Sequence, residues 1–151
     1  MFSTIVVGTD GSETATAAVS KAIELAKQND ATLHIVNAAR LVSISHVASA
    51  AAAGAPTFDV ENVNRGIEAE GKAICEHAVG QSQQADVKCE THVVSGDPAD
   101  ALISVAETVG ADLIVVGNRG MAGARRFVLG SVPNKVAHHA PCSILIVDTS
   151  N

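Results

Sequence analysis

Short runs of β-branched and aliphatic residues alternate along this chain with segments whose apolar residues recur at helical spacing. The runs cover residues 4–7, 32–38, 87–95, 113–116 and 143–147, and the helical patterns cover about 15–27, 63–78, 98–110 and 132–139. Strands separated by helices require crossover connections, which place the strands parallel and cover the sheet with helices on both faces. The alternation therefore predicts an α/β fold with a mostly parallel sheet.

Residues typical of helix ends mark several of the predicted boundaries. Ser12 follows a Thr-Asp-Gly turn and can cap the first helix, while Asp97 and Pro98 suit the N-cap and first position of another helix. That helix is expected to end near Gly110. Residues 41–58 combine small residues with Gly54 and Pro56, and we assign them no element.

The length of the chain suits one domain. Its 151 residues are enough to bury a core, and neither an internal repeat nor a linker divides them. We therefore predict a single domain over residues 1–151.

The distribution of charge argues for a small anionic ligand rather than nucleic acid. The net charge of −6 disfavours a general nucleic-acid binder, which needs a basic face. Residues 113–147 contain no Asp or Glu but do contain Arg119, Arg125, Arg126 and Lys135. This stretch should attract an anion, although the same residues could simply form a solvated basic surface.

Cysteine spacing and the N-terminal residues bear on location. The three cysteines, Cys75, Cys89 and Cys142, show no CxxC spacing and are expected to be reduced thiols. The first residues show no signal peptide, and no apolar run is long enough to cross a membrane. These observations predict a cytoplasmic protein with no membrane partner.

A glycine pattern follows the fourth predicted strand. Gly117-Asn-Arg-Gly120 is separated by nine residues from Gly130-Ser131, which stands directly before the helical segment 132–139. Glycine allows close approach of the backbone to a ligand, and the free amides at the start of a helix attract phosphate. The pattern predicts a phosphate site built mostly from backbone groups.

Asp10 ends the first predicted strand and is a candidate ligand for the same site. In open parallel sheets, ligands bind at the carboxyl ends of the strands where the connection direction reverses. If the first and fourth strands are neighbours there, Asp10 faces the glycine pattern across one crevice. Asp10 could instead be a turn residue that bonds only its own backbone. The glycines match neither a Walker A loop nor a GxGxxG fingerprint, and the chain has no GxSxG elbow.

The spacing GxxGx(9)G[ST] resembles the ATP-binding subgroup of the universal stress protein family. Four further segments, 5–12, 96–98, 129–132 and 141–147, resemble that family in the same order. The resemblance implies the adenine nucleotide alpha hydrolase-like fold, with a five-stranded parallel sheet in the order 3-2-1-4-5 and helices on both faces. That order makes the first and fourth strands neighbours.

The resemblance also implies a nucleotide site. Asp10 would contact the adenosine, and Ala38 would lie near the adenine. Gly117 and Gly120 would let the chain pass close to ribose and phosphates. The amides of Gly130, Ser131 and Val132, with the Ser131 hydroxyl, would bind phosphate. Arg119 could reach phosphate, although Arg is not part of the family pattern at that position. The implied nucleotide-binding residues are Asp10, Ala38, Gly117, Arg119, Gly120, Gly130, Ser131 and Val132.

Three functions are open at this point. The first is an adenine-nucleotide-binding stress-response protein with ATP and Mg²⁺ as ligand; the second binds cyclic AMP (cAMP); the third is a dimeric interaction module without nucleotide. The resemblance implies a homodimer through Ser143–Val147. No catalytic residue is expected, and at most slow ATP hydrolysis, because Asp10 is one carboxylate and phosphoryl transfer needs more.

No protein metal site is expected from the sequence. His138 and His139 end a helix without further ligands nearby in the sequence, and His34, His77 and His92 are interpreted as structural.

Overall fold

The computed structural model describes residues 1–118 and 129–149. Within them, five strands form one parallel sheet: β1 (Thr4–Gly8), β2 (Thr32–Ala39), β3 (Cys89–Ser95), β4 (Leu113–Gly117) and β5 (Ser143–Val147). The helices are α1 (Glu13–Asn29), α2 (Ile44–Ala52), α3 (Val60–Gln84), α4 (Pro98–Val109) and α5 (Ser131–His139). The strand order is β3-β2-β1-β4-β5, which confirms the predicted fold class and sheet order.

The central strand β1 sets the register of the sheet. Ile5 pairs with Leu33 of β2 on one side and with Leu113 of β4 on the other. Ile5, Val6 and Val7 are fully buried, as expected for a parallel strand covered by helices on both faces.

Alternate residues of the strands build two separate cores. On one face, Ile5, Val7 and Ile35 pack with α1 and α3. On the other face, Val6 and Val36 pack with α4 and α5, which contribute among others Leu102 and Val136. The two-residue period of a strand is the reason that one sequence serves both cores.

The predicted helix ends are confirmed. The Ser12 hydroxyl accepts a hydrogen bond from the Ala15 amide at 3.2 Å, and Asp97 accepts from the Ala99 amide at 3.0 Å with Pro98 in the first turn. Gly110 ends α4 in the left-handed conformation, with φ of 63°. Asp59, which we did not predict as a cap, accepts a hydrogen bond from the Asn62 amide at the start of α3.

Two regions differ from the sequence-based assignment. Residues 44–52, to which we assigned no element, form α2, and none of its residues is buried. The third strand begins at Cys89 rather than Val87, because the Val87 amide still bonds the Ser82 carbonyl and Asp86 adopts φ of 58° to end α3. Among the described residues, no helix is long and apolar enough to span a membrane.

Candidate functional site

A crevice opens at the carboxyl ends of β1 and β4. These strands are neighbours, and the chain connections run away from them in opposite directions, β1 to β2 and β4 to β5. This is the switch point at which open α/β sheets bind ligands. The crevice is lined by five of the predicted site residues: Asp10, Ala38, Gly117, Ser131 and Val132.

Asp10 makes the turn contact and also lines the crevice, so the turn does not exclude a ligand contact. Its carboxylate accepts a hydrogen bond from the Ser12 amide at 3.0 Å, which is the expected turn contact. Asp10 also lines the crevice, and its turn bond uses one carboxylate oxygen, Oδ1. The turn therefore orients the carboxylate, and Oδ2 can still accept a hydrogen bond from a ligand hydroxyl.

The start of α5 supplies backbone amides to the crevice. Gly130 is the N-cap, so the amides of Ser131 and Val132 belong to the first turn and have no intrahelical acceptor. Pro133, the next residue, has no amide hydrogen. Two amides and the Ser131 hydroxyl are thus the donors that this helix end presents to an anion.

Gly130 is not among the residues that line the crevice, and its amide, which the resemblance implied for phosphate, has a partner within the protein. Its amide donates to the Asn118 carbonyl at 3.0 Å. A phosphate that bound this amide would have to share its hydrogen with that carbonyl. Its φ of −59° and ψ of 162° are open to any residue, so the backbone conformation does not require glycine. What glycine provides here is the absence of a side chain at the entrance to α5.

Asn118 is a structural residue that the sequence analysis passed over. Its side-chain amide donates to Asp148 at 2.9 Å, and its side-chain oxygen accepts from the Thr149 amide at 3.1 Å and hydroxyl at 2.7 Å. The Asn118 amide also donates to the Val147 carbonyl at 2.9 Å. Asn118 therefore joins the ends of β4 and β5 to the start of α5. Its position between Gly117 and Gly120 was the sequence feature that could have indicated a structural role.

The apolar wall of the crevice also went unpredicted. Val36 and Val116 from the sheet, with Leu102 from α4, line it beside Ala38. A Cβ added to Gly8 would lie 3.1 Å from the Leu102 side chain, so glycine at the end of β1 lets α4 pack closely. An apolar wall opposite polar groups suits a ligand with a flat base and an anionic tail.

Lys135 forms ion pairs with two carboxylates, so its charge is not free to attract an anion. Its ammonium contacts Asp97 at 3.3 Å and Asp100 at 2.7 Å. The hydrogen bond to Asp100 is the largest of the effects that raise the pKa of Lys135. Burial raises the pKa of Asp97, but the Asp100 amide and Lys135 outweigh it, so the pKa of Asp97 is lowered. This pairing corrects the interpretation of Lys135 as part of a field that attracts an anion.

Four residues of the predicted site region lie outside the described residues. They are Arg119 and Gly120, from the glycine pattern, and Arg125 and Arg126.

The other candidate residues lie apart from the crevice. His34 and His92 contact each other, with Nδ1 and Nε2 3.0 Å apart, on neighbouring strands. Burial is the main cause that lowers the pKa of His34; the Glu90 carboxylate raises it, and His92 lowers it further. Cys75, Cys89 and Cys142 are free thiols, as predicted, and burial raises the pKa of Cys75 to about 11.

Comparison with known proteins places the chain in a family. Residues 1–148 match the model of the universal stress protein family. Universal stress protein YxiE of Bacillus subtilis is 32% identical over 147 residues, which cover 97% of this chain and 99% of YxiE.

Solved structures agree with this match. A universal stress protein crystallised in complex with cAMP is 33% identical, with a TM-score of 0.70 over 99% of this chain and 98% of that one. The protein MJ0577 has the same fold, with a TM-score of 0.80 at 21% identity over 100% of this chain and 99% of its own. With the glycine pattern, the sheet order and the family match in agreement, this chain belongs to the universal stress protein family.

Proposed function

We propose that this chain binds an adenine nucleotide in the crevice between β1 and β4 and acts as a stress-response regulatory protein. The observation that carries the proposal is the convergence of Asp10, at the end of β1, with Ser131 and Val132, at the start of α5, on one crevice. The carboxylate suits a ribose hydroxyl, the amides suit phosphate, and the wall of Val36, Ala38 and Leu102 suits adenine.

ATP, with Mg²⁺, is the first candidate ligand. The spacing of Gly117, Gly120 and Gly130 resembles that of the ATP-binding subgroup, and this resemblance supports ATP over a ligand without phosphates. Two amides and a hydroxyl at α5 suffice for one phosphate group. A triphosphate needs more donors, and Arg119, Arg125 and Arg126 are the basic side chains that the sequence offers for this between Gly117 and Gly130.

The second candidate is cAMP, and a specific observation favours it. The relative crystallised with cAMP is 33% identical over nearly the whole of both chains. A cyclic phosphate carries a single negative charge, which the amides of Ser131 and Val132 can bind without further cations.

We expect the chain to bind its nucleotide rather than to turn it over. Asp10 is the one carboxylate among the described residues that line the crevice. Phosphoryl transfer needs a positioned metal together with a base or a group that orients water. Slow incidental ATP hydrolysis is compatible with this proposal.

A homodimer through β5 is part of the same proposal. Within the described residues β5 pairs only with β4, so its outer edge has free backbone groups, and Ile146 is 38% exposed. An exposed apolar edge strand is a template for pairing with a second copy of the chain.

The experiment that tests the function is calorimetric titration of nucleotide-stripped protein with ATP plus Mg²⁺ and, separately, with cAMP. GTP and cyclic GMP are the controls, because they differ from these ligands in the base. Tighter binding of ATP supports the first candidate, and tighter binding of cAMP supports the second. If neither binds, the nucleotide proposal is wrong, and the protein is to be studied as an interaction module.

A further inference from the structure

We propose that His34, Glu90 and His92 form a binding site for a divalent transition-metal ion, with Zn²⁺ as the preferred ion. The three side chains lie on β2 and β3, at the edge of the sheet. One potential ligand atom from each residue lies within 4.8 Å of the others.

The strand geometry explains why these side chains meet. Glu90 and His92 are two residues apart on β3, so they point to the same face of the sheet. In the parallel register His34 pairs with Glu90, and Val36 pairs with His92. Since Val36 belongs to the core on the α4 side, the three ligands lie on that same face, next to the core.

The distances are close to those of a metal site. The Nδ1 atom of His34 lies 3.0 Å from Nε2 of His92 and 3.8 Å from a carboxylate oxygen of Glu90. Zn²⁺ binds imidazole nitrogen and carboxylate oxygen at about 2.0–2.2 Å, so ligand atoms of a tetrahedral site are about 3.3 Å apart. The two distances from His34 differ from that spacing by a few tenths of an ångström, and the ligand atoms of Glu90 and His92 lie within 4.8 Å of each other.

A hydrogen bond between the imidazoles explains only part of the cluster. One N–H···N bond pairs a single ring nitrogen of His34 with one of His92, and Glu90 at 3.8 Å is beyond hydrogen-bond distance. Among residues 1–118 and 129–149, no closer hydrogen-bonding or cationic partner of the Glu90 carboxylate is found. A metal ion would bind all three groups and neutralise the carboxylate.

The ligand types select the class of metal. Two imidazoles with one carboxylate suit Zn²⁺ and its first-row neighbours, whereas Mg²⁺ and Ca²⁺ prefer oxygen ligands alone. Three protein ligands leave a fourth position for water. The carboxylate of Glu90 is 66% exposed, so an ion can enter from solvent.

The site is separate from the nucleotide crevice. His34 and Ala38 are four residues apart on β2, a separation of about 13 Å along a strand. Ala38 lines the crevice, whereas none of the three proposed ligands does. The bound ion would link the edge strand β3 to β2, and we expect it to stabilise the fold by binding the native state.

The test is a titration of chelator-treated protein with Zn²⁺, followed by competition with a metal-sensitive dye, together with the visible absorption of the Co²⁺-loaded protein. We expect one ion per chain, a rise in Tm with Zn²⁺ and the spectrum of tetrahedral Co²⁺. His92→Ala and Glu90→Gln should each weaken binding by about tenfold or more. Both variants retain the buried His34. The Tm of each variant without metal is compared with that of the parent to verify folding.

Two controls separate this site from other metal-binding groups. His77→Ala removes an exposed imidazole from α3. Cys89→Ser removes the thiol of the residue that precedes Glu90, and this thiol packs on the opposite face of the sheet. Both should bind Zn²⁺ like the parent. The proposal is wrong if the parent binds no Zn²⁺, or if a folded His92→Ala protein binds it with unchanged affinity.

Discussion

The backbone amide of Gly130 donates a hydrogen bond to the carbonyl of Asn118, with nitrogen and oxygen 3.0 Å apart. This bond fixes the start of α5 against the end of β4, on the rim of the crevice. The helix amides next in line, those of Ser131 and Val132, are the ones left for a ligand. We therefore expect position 130 to affect ligand binding through its missing side chain rather than through its amide.

The first prediction concerns Gly130→Val. A branched side chain at the entrance to α5 should occupy space that the ligand phosphate needs and lower nucleotide affinity by about tenfold or more. The φ of −59° suits valine, so the fold should persist. Calorimetry gives the affinity, and thermal melting verifies folding.

Gly130→Ala is the matched control, because it adds one methyl group and should reduce affinity less. Wild-type affinity in a folded Gly130→Val protein would contradict the close approach of ligand to this backbone.

Substitution by alanine should have opposite effects on stability at two glycines of α3. A Cβ on Gly66 would meet nothing within 4 Å, so Gly66→Ala should stabilise the protein by about 0.5–1 kcal/mol through helix propensity. A Cβ on Gly71 would lie 2.5 Å from Oδ1 of Asn37 and 3.1 Å from Val93, so Gly71→Ala should destabilise it by about 1–3 kcal/mol.

The free energy of unfolding, from denaturant titration of both variants, is the measurement. The side-chain amide of Asn37 donates to the Thr9 carbonyl at 2.9 Å, and Thr9 lines the crevice, so Gly71→Ala should also weaken nucleotide binding. Equal stability of the two variants would refute the close packing of α3 on β2.

Acid should destabilise the protein partly through Asp112. Burial raises the pKa of this carboxyl, but donation by the Ser3 amide, the Ser3 hydroxyl and the Thr4 amide outweighs burial, and the pKa is lowered. A carboxyl with a lowered folded-state pKa stabilises the fold above its unfolded value, about 3.9, and loses that contribution as pH falls through the folded value.

The stability difference between neutral pH and a pH below about 4 should therefore be smaller for Asp112→Asn than for the parent. Denaturant unfolding at a series of pH values measures it. An unchanged pH dependence in the variant would show that the contacts of Asp112 with the N-terminal residues do not contribute to the change of stability with pH.

Ile146→Lys should disrupt the proposed dimer. Ile146 is 38% exposed on the edge strand β5, and a charge on an edge strand opposes pairing with another chain. Light scattering coupled to size exclusion should show a dimer for the parent and a monomer for the variant. A similar change at the opposite edge, Thr91→Lys on β3, is the control and should leave the dimer intact. A monomeric parent, or a dimeric Ile146→Lys protein, would contradict the use of β5.

Local pattern was sufficient where a residue acts through its sequence neighbours. Ser12, Asp97 and Gly110 were recognisable as helix ends because a cap bonds amides or carbonyls within one turn. The helix α2 was missed because its residues bury no apolar face, so the pattern that reveals a helix is weak there.

By itself, the sequence determined the alternation of strands and helices, the positions of the caps and the glycine spacing that indicates a phosphate site. These depend on backbone propensity and on the apolar period of each segment. Only the tertiary structure decided that Lys135 pairs with Asp97 and Asp100, that Asn118 joins β4 to β5, and that His34 meets Glu90 and His92. These relationships depend on the register between strands and on helix packing, which bring together residues that are distant in sequence and carry no local signal of one another.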